Sequence, residues 1–226
     1  MEPNKEKIIK LHVKRTMENL EKNNIGVSYI PSAKDLPALM KKLIPEGSTV
    51  ASGGSITLAQ SGILDLVKNG DYTYIDRADP SLNAQEKHER NLQSFRCDVY
   101  LSSANAITER GELYLVDGSN NRVAAVLYGP EKVYIIAGCN KIVSNLEEAA
   151  NRVKQLAAPA NCVRLDKETF CREKGHCVAP SCDDKNLMSV PAGACTKGIC
   201  SSFLVLGHQL IKERIHVLLV GEDLGY

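Results

Sequence analysis

The chain has no tryptophan, only three phenylalanines, and an aromatic content of 5%. Surfaces that stack unpaired bases are built from aromatic rings, so single-stranded nucleic acid loses support as a partner. An excess of charge is missing too: 28 basic and 27 acidic residues leave a formal net charge of +1. That balance lacks the basic footprint of a protein that binds nucleic acid or an anionic membrane. There is no apolar run of transmembrane length and no secretory pattern at Met1-Glu2-Pro3-Asn4-Lys5, so a cytoplasmic protein without membrane insertion is expected. Neither the Gly-Lys-Ser/Thr of a P-loop nor a G-x-G-x-x-G dinucleotide fingerprint occurs. No His–Asp pattern accompanies Ser55, which leaves a hydrolase triad unsupported.

What is present suits one α/β domain of 226 residues, 43% of them apolar, long enough to bury a core. Amphipathic spacing of Ile9, Val13, Met17 and Leu20 predicts a helix over 3–23, followed by a strand at Val27–Ile30. Ser32 and Asp35 suggest a capping box for a helix through Leu36, Leu39, Met40 and Leu43. Strands are predicted at Thr49–Ala51, Tyr72–Ile75, Asp98–Leu101, Leu113–Val116, Lys132–Ala137, Phe203–Leu206 and Ile215–Val220. Pro80 is expected to open a polar helix over 81–96. Ser144 with Glu147 is expected to cap a helix that Pro159 stops. Asp117-Gly118 and Asn120-Asn121 read as a hairpin turn with a return segment at Val123–Leu127. Alternating strands and helices imply a mostly parallel sheet flanked by helices, with that hairpin inserted.

The organising stretch is Val50-Ala51-Ser52-Gly53-Gly54-Ser55-Ile56-Thr57-Leu58. A short strand meets two glycines flanked by hydroxyls, then helical spacing through Ile63, Leu66 and Val67. Glycines admit a ligand close to the backbone, and a helix start offers free N–H groups at a positive dipole end. Gly53, Gly54, Ser55 and Thr57 are therefore candidates for holding a small anionic metabolite. The plainer reading is a turn and a Ser55 cap.

Eight cysteines in a cytoplasmic chain are not a disulfide framework. Cys97 and Cys139 fall in core patterns. The other six, Cys162, Cys171, Cys177, Cys182, Cys195 and Cys200, crowd a segment over 160–202 where apolar periodicity fades, an insertion within the single domain of 1–226. Soft ligands at this density suit structural zinc or an iron–sulfur cluster. Such a site would supply ordering free energy, about 10 kcal/mol for zinc, that the segment lacks. Cys171, Cys177, Cys182 and Cys200 are the expected set, with Cys195 to spare and His176 a substitute. The alternative is a group of small core thiols.

Several of these pieces together resemble the LUD-domain (lactate utilisation) family: Gly53-Gly54-Ser55-x-Thr57-Leu58, Ala104-Asn105-Ala106-Ile107-Thr108-Glu109-x-Gly111, Asp117-Gly118-x-x-x-Arg122-Val123-Ala124, Gly129-Pro130-x-Lys132-Val133, and a closing Arg214-Ile215-x-Val217-Leu218-Leu219-Val220-x-Glu222-x-Leu224-Gly225. The resemblance spans nearly the whole chain. It implies the fold of ribose-phosphate isomerases, CoA transferases and 5-formyltetrahydrofolate cyclo-ligases, with the ligand at the glycine turn. It further implies a non-redox component of lactate (small 2-hydroxy acid) utilisation, beside iron–sulfur partner proteins that handle electrons. The family's cysteine segment is a compact C-x5-C-x2-C-x6-C; here it is stretched, with Cys195 inserted.

Glu109 before Gly111 is similar to the glutamate nucleophile of the transferases. It is the candidate catalytic residue of an alternative reading, a cyclo-ligase- or CoA-transferase-like enzyme. Asn105 and Thr108 could hydrogen-bond a ligand, and Arg122 could grip a carboxylate bidentately, although a lone Arg there reads as solvated. Asp76, Arg77 and Asp79 follow a strand end and could line the same cleft. A third reading is a metal-binding or redox-sensing module built on the cysteines.

Overall fold

The computed structural model describes residues 2–179 and 194–226. The chain opens with α1 (Pro3–Lys22), β1 (Gly26–Ile30), α2 (Leu36–Leu43) and β2 (Thr49–Ser52). Then come α3 (Ile56–Gln60), α4 (Ile63–Asn69), β3 (Thr73–Ile75), α5 (Ala84–Gln93) and β4 (Val99–Ser102). The middle holds β5 (Ala106–Thr108), β6 (Leu113–Asp117), α6 (Asn121–Leu127), β7 (Lys132–Gly138) and β8 (Ile142–Val143). Finally come α7 (Leu146–Arg152), α8 (Ala158–Arg164), α9 (Phe170–Lys174), β9 (Ser202–Leu206) and β10 (Ile215–Val220).

Six strands form one sheet in the order β1-β10-β7-β4-β2-β3, every pair parallel. Such strands are buried on both faces and read as continuous apolar runs. In β7, Val133, Ile135 and Ala137 point into one core, while Tyr134 and Ile136 point into the other. In β10, Val217 and Leu219 alternate with Leu218 and Val220 in the same way. Leu36, Met40, Leu58, Ile63 and Val67 cover one face from α2, α3 and α4. On the other, Val13 and Leu20 of α1 share a core with Ile107, Leu113, Leu115 and Leu206 of a second sheet, ordered β8-β5-β6-β9. That sheet's far side packs Ala106, Tyr114 and Val116 against Ala149, Ala150, Val153 and Ala158.

Several expected boundaries move, each for a local reason. The helix after the glycine turn breaks at Gly62, which takes φ 71° and splits it into α3 and α4. Asn83, not Pro80, opens α5: its side chain accepts from the Glu86 amide while the Glu86 carboxylate accepts from the Asn83 amide. Asn145 rather than Ser144 caps α7, accepting from the Glu148 amide at 3.0 Å.

Two corrections are larger. The hairpin expected at Asp117–Asn121 is instead a helix start: Asp117 Oδ2 accepts from the Arg122 and Val123 amides, both at 3.1 Å, and the expected return segment is α6. The true hairpin joins β5 to β6, with Gly111 at φ 81° in its turn. Nor does Pro159 stop a helix. A π turn over Val153–Ala157 sits between α7 and α8, and the chain stays helical to Arg164. Proline supplies no N–H, and a wider turn ahead of it relieves the clash of its ring with the preceding turn.

Candidate ligand-binding site

After β2 the chain crosses to β3 on one side; after β4 it passes, by way of the second sheet, to β7 on the other. The carboxyl ends of these neighbouring strands therefore form the switch point where open parallel sheets take ligands. A pocket of about 600 Å³ lies there, lined by Gly54–Thr57 after β2, Ser103–Asn105 after β4, Arg122 of α6 and Lys141 after β7. Asn161 and Arg164 of α8 and residues Gly198–Cys200 form another wall. Arg77 and Lys167 also reach it, so five basic side chains face one side-chain carboxylate, Asp117, among the described lining residues.

The expected residues divide within this pocket. Gly54, Ser55, Thr57, Asn105 and Arg122 line it. Gly53 lies just behind, where a Cβ would stand 2.8 Å from Arg122 Cδ; the glycine lets the arginine stem pack on the backbone. Ser55 Oγ caps α3 by accepting from the Leu58 amide at 3.4 Å. Because α3 is only five residues long, the anion attraction expected of a long helix start shifts to side-chain cations.

Arg122 is not solvated. Its guanidinium donates to the Ser103 carbonyl at 2.9 Å, the Val116 carbonyl at 2.6 Å and Asn105 Oδ1 at 3.1 Å, with Asp117 at 3.9 Å. Burial lowers its pKa from the ordinary value. These bonds occupy the fork, so Arg122 contributes charge and holds the β4–β6 connection together. Asn105 Oδ1 also accepts from the Val116 amide, a structural role.

Thr108 and Glu109 are not brought to the pocket. Thr108 is buried and donates to Glu112 at 2.6 Å. The Glu109 carboxylate faces α1, 2.5 Å from His12 Nδ1 and 2.7 Å from Arg15 Nε.

Lys141 is the group the sequence did not single out. It ends a 3₁₀ turn after β7 and is 3% exposed. Its Nζ donates to Thr57 Oγ1 at 2.9 Å, Ser103 Oγ at 3.0 Å and the Ala104 carbonyl at 3.3 Å. Burial pushes its pKa down to about 7, and the neighbouring cations Arg152 and Arg122 add to the shift. No carboxylate pairs with it among the described residues. Arg152 donates to the Asn105 carbonyl at 2.7 Å and the Asn140 carbonyl at 3.2 Å, and its second terminal nitrogen is buried without a described partner. Position alone could have flagged Lys141: it is the first long charged side chain past the end of a central, mostly apolar strand.

The described part of the cysteine segment gathers several thiols. Cys162 and Cys171 place their sulfurs 3.6 Å apart. Cys200, in the pocket wall, is pushed up to about 12 by burial, with Cys177, Cys162, Cys171 and Cys195 as neighbouring thiols. Cys182 lies outside the described residues. Among those described, no group of three or more His, Cys, Asp or Glu side chains could hold a metal ion, so Cys171, Cys177 and Cys200 do not assemble one by themselves. Cys162, which sequence spacing left out of the set, sits within this thiol group.

The fold and the pocket together define an α/β protein with a cationic site at a parallel-sheet switch point. The LUD domain family model matches residues 13–220, and the chain belongs to that family. A DUF162 family protein from Deinococcus radiodurans, solved at 1.70 Å, shares the fold: TM-score 0.52, 16% identity, over 94% of this chain and 98% of that one. Two partial likenesses are eIF2B beta from Chaetomium thermophilum (TM-score 0.36, 12% identity, 50% of this chain and 43% of that) and ribose 5 phosphate isomerase A from Neisseria gonorrhoeae (TM-score 0.33, 17% identity, 51% and 52%). No functionally curated protein matches the sequence. No helix among the described residues is long and apolar enough to cross a membrane.

Proposed function

We propose that this LUD-domain protein serves lactate utilisation by binding a small anionic metabolite, of the 2-hydroxy or 2-oxo acid class, in the switch-point pocket. One observation carries the reading. Lys141 is buried against two hydroxyls and a carbonyl, with Arg122 and Arg152 nearby and no carboxylate partner among the described residues. Buried charges are normally paired, and an unpaired one is expensive. An anionic ligand would supply the missing counter-charge and restore the ammonium. Electrons leaving the hydroxy acid are assigned to iron–sulfur partner proteins, as the family resemblance implies; this chain holds and orients the acid.

The test is calorimetric titration with lactate and with pyruvate at pH 6 and pH 8.5. A bound anion raises the Lys141 pKa from about 7 toward its ordinary value, so binding takes up a proton above pH 7. Affinity then falls as pH rises past 7, by up to about tenfold per unit at saturation of the effect. Lys141→Met should lose both the affinity and its pH dependence. Equal binding by variant and wild type at both pH values would place the ligand elsewhere.

A further inference from the structure

We propose that Lys141 is a carbonyl-addition nucleophile, and that the pocket's substrate is accordingly an anionic oxo compound, a 2-oxo acid rather than a hydroxy acid. The inference rests on the reading that this pocket binds the anion. It goes further in assigning covalent chemistry to one atom, Lys141 Nζ.

Three features of the surroundings support that role. The first is the choice of side chain. Arg77, Arg122 and Arg164 already supply positive charge to the pocket. A guanidinium stays protonated and holds carboxylates in a planar fork, whereas a buried amine can shed its proton and gain a lone pair. A lysine at the innermost position adds what the arginines cannot. The second is the pattern of neighbours. Arg122 and Arg152 disfavour the ammonium, and no described carboxylate stabilises it. This suits a nucleophile better than a structural cation: a bound anion favours the ammonium, yet a lysine that starts from a pKa of about 7 keeps a fraction of free amine, whose lone pair reacts. Thirdly, Ser103 Oγ and Thr57 Oγ1 lie 3.0 and 2.9 Å from Nζ and 3.4 Å from each other, a pair of hydroxyls able to pass a proton.

The step balances without any redox partner. The Nζ lone pair forms a bond to the carbonyl carbon as the C=O π pair moves to oxygen. The oxygen takes a proton that leaves Nζ by way of Ser103 or Thr57, giving a carbinolamine. A second proton transfer lets that hydroxyl depart as water while the nitrogen lone pair forms C=N. Amine plus carbonyl compound becomes imine plus water. Arg77, whose Nε donates to the Ser52 carbonyl and whose other end faces Gly54, stands at the pocket margin to meet the carboxylate.

The experiment incubates the full chain with pyruvate, glyoxylate or lactate at pH 7.5, adds sodium borohydride, and reads the intact mass and the modified peptide. The expected result is one reduced adduct per chain with either oxo acid, none with lactate, and attachment at Lys141. Lys141→Arg, checked for folding by circular dichroism, should lose the adduct. Ser103→Ala should slow trapping by about a hundredfold, the scale of one proton-transfer group. Site mapping in the wild-type chain needs no variant, so a misfolded substitution does not spare the idea. Trapping on other lysines, or persistence in Lys141→Arg, would overturn it. If calorimetry shows that lactate and pyruvate bind yet no adduct forms, the nucleophile fails while the anion pocket stands. If neither ligand binds and none is trapped, both fall.

Discussion

Lys141 and Glu109 are both charged groups set just past the end of a strand, and the protein treats them in opposite ways. Glu109 follows β5 in the turn that presses on α1. His12 Nδ1 and Arg15 Nε take its two carboxylate oxygens, and Asn19 Nδ2 donates to its carbonyl at 2.7 Å. Asn23 Nδ2 clasps the same turn through the Gly111 carbonyl at 2.8 Å, and a Cβ on Gly111 would fall 2.4 Å from the Asn19 carbonyl carbon. The turn is thus fastened to the helix, and the carboxylate is one of the fasteners. Lys141 follows β7, is more deeply buried, and meets only neutral acceptors and two further cations. A charge closed by partners stabilises the fold whether or not a ligand is present. A buried charge without them destabilises the fold and is useful only to something that arrives.

That contrast predicts opposite signs for substitution, and the larger effect belongs to Lys141. Its folded pKa, about 7, lies below the ordinary 10.5. Between those values the unfolded chain holds the proton and the native chain does not, so stability rises with pH across the window. Below pH 7 the whole penalty applies, about 4–5 kcal/mol at 1.36 kcal/mol per unit. Lys141→Met removes it but leaves the Thr57 and Ser103 hydroxyls short of a partner, which costs about 1–3 kcal/mol. The variant should therefore melt above wild type at pH 6, by roughly 4–8 °C for a net gain of about 2 kcal/mol. The gain should shrink steadily and turn into a loss by about pH 10, where most of the penalty is gone. Parallel melting curves across pH 6–10 would show that Lys141 is not held neutral by its surroundings.

How much of this was legible in the sequence follows the same division between local and tertiary causes. Strands β7 and β10 announced themselves through the apolar runs Val133–Ala137 and Val217–Val220, because burial on both faces calls for apolar residues at consecutive positions. The Gly53-Gly54 turn stood out because its composition is unusual by itself, and Gly54, Ser55 and Thr57 do line the pocket. Val123–Leu127 is too short for period to separate a strand from a helix, and what decides it is the Asp117 carboxylate on two α6 amides. Arg122 read as solvated because its acceptors, Ser103, Asn105 and Val116, come from elsewhere in the chain. Lys141 had only its position past β7 to mark it, because nothing local shows that a lysine is buried; the closing of β2, β4 and β7 side by side makes it so.

The paired glycines offer a smaller test, since their neighbours differ as much as the two charges do. At Gly53 an added Cβ meets Arg122 Cδ at 2.8 Å and Cγ at 3.0 Å, on a guanidinium already fixed by three acceptors. At Gly54 it meets only Arg77 Nη2, at 3.3 Å, the free end of a long side chain. Neither glycine takes a positive φ, so the backbone itself tolerates alanine. Gly53→Ala should destabilise by about 1–3 kcal/mol through overpacking. Gly54→Ala should be within about 0.5 kcal/mol of wild type. Denaturant midpoints for the two variants decide it; equal losses would mean that Arg122 is free to move and is not the strut described here.

Glu109→Gln gives a far smaller shift than Lys141→Met and puts the comparison at most risk. The carboxylate is largely buried, but His12 and Arg15 are about half exposed, at 43% and 55% of their side-chain surface. Exposed partners are screened by water, so the pairs together contribute about 1 kcal/mol. Glutamine keeps the volume and can still accept one hydrogen bond, which limits the loss further. Melting should fall by at most about 2–4 °C, and less at high salt, where surface pairs weaken. Affinity for lactate and pyruvate, measured by the same titration used for Lys141→Met, should not change, because Glu109 faces α1 and the pocket does not include it. A loss of ligand binding with melting intact would reverse the assignment: Glu109 would then be the group that meets the ligand, and Lys141 would be an ill-tolerated structural charge.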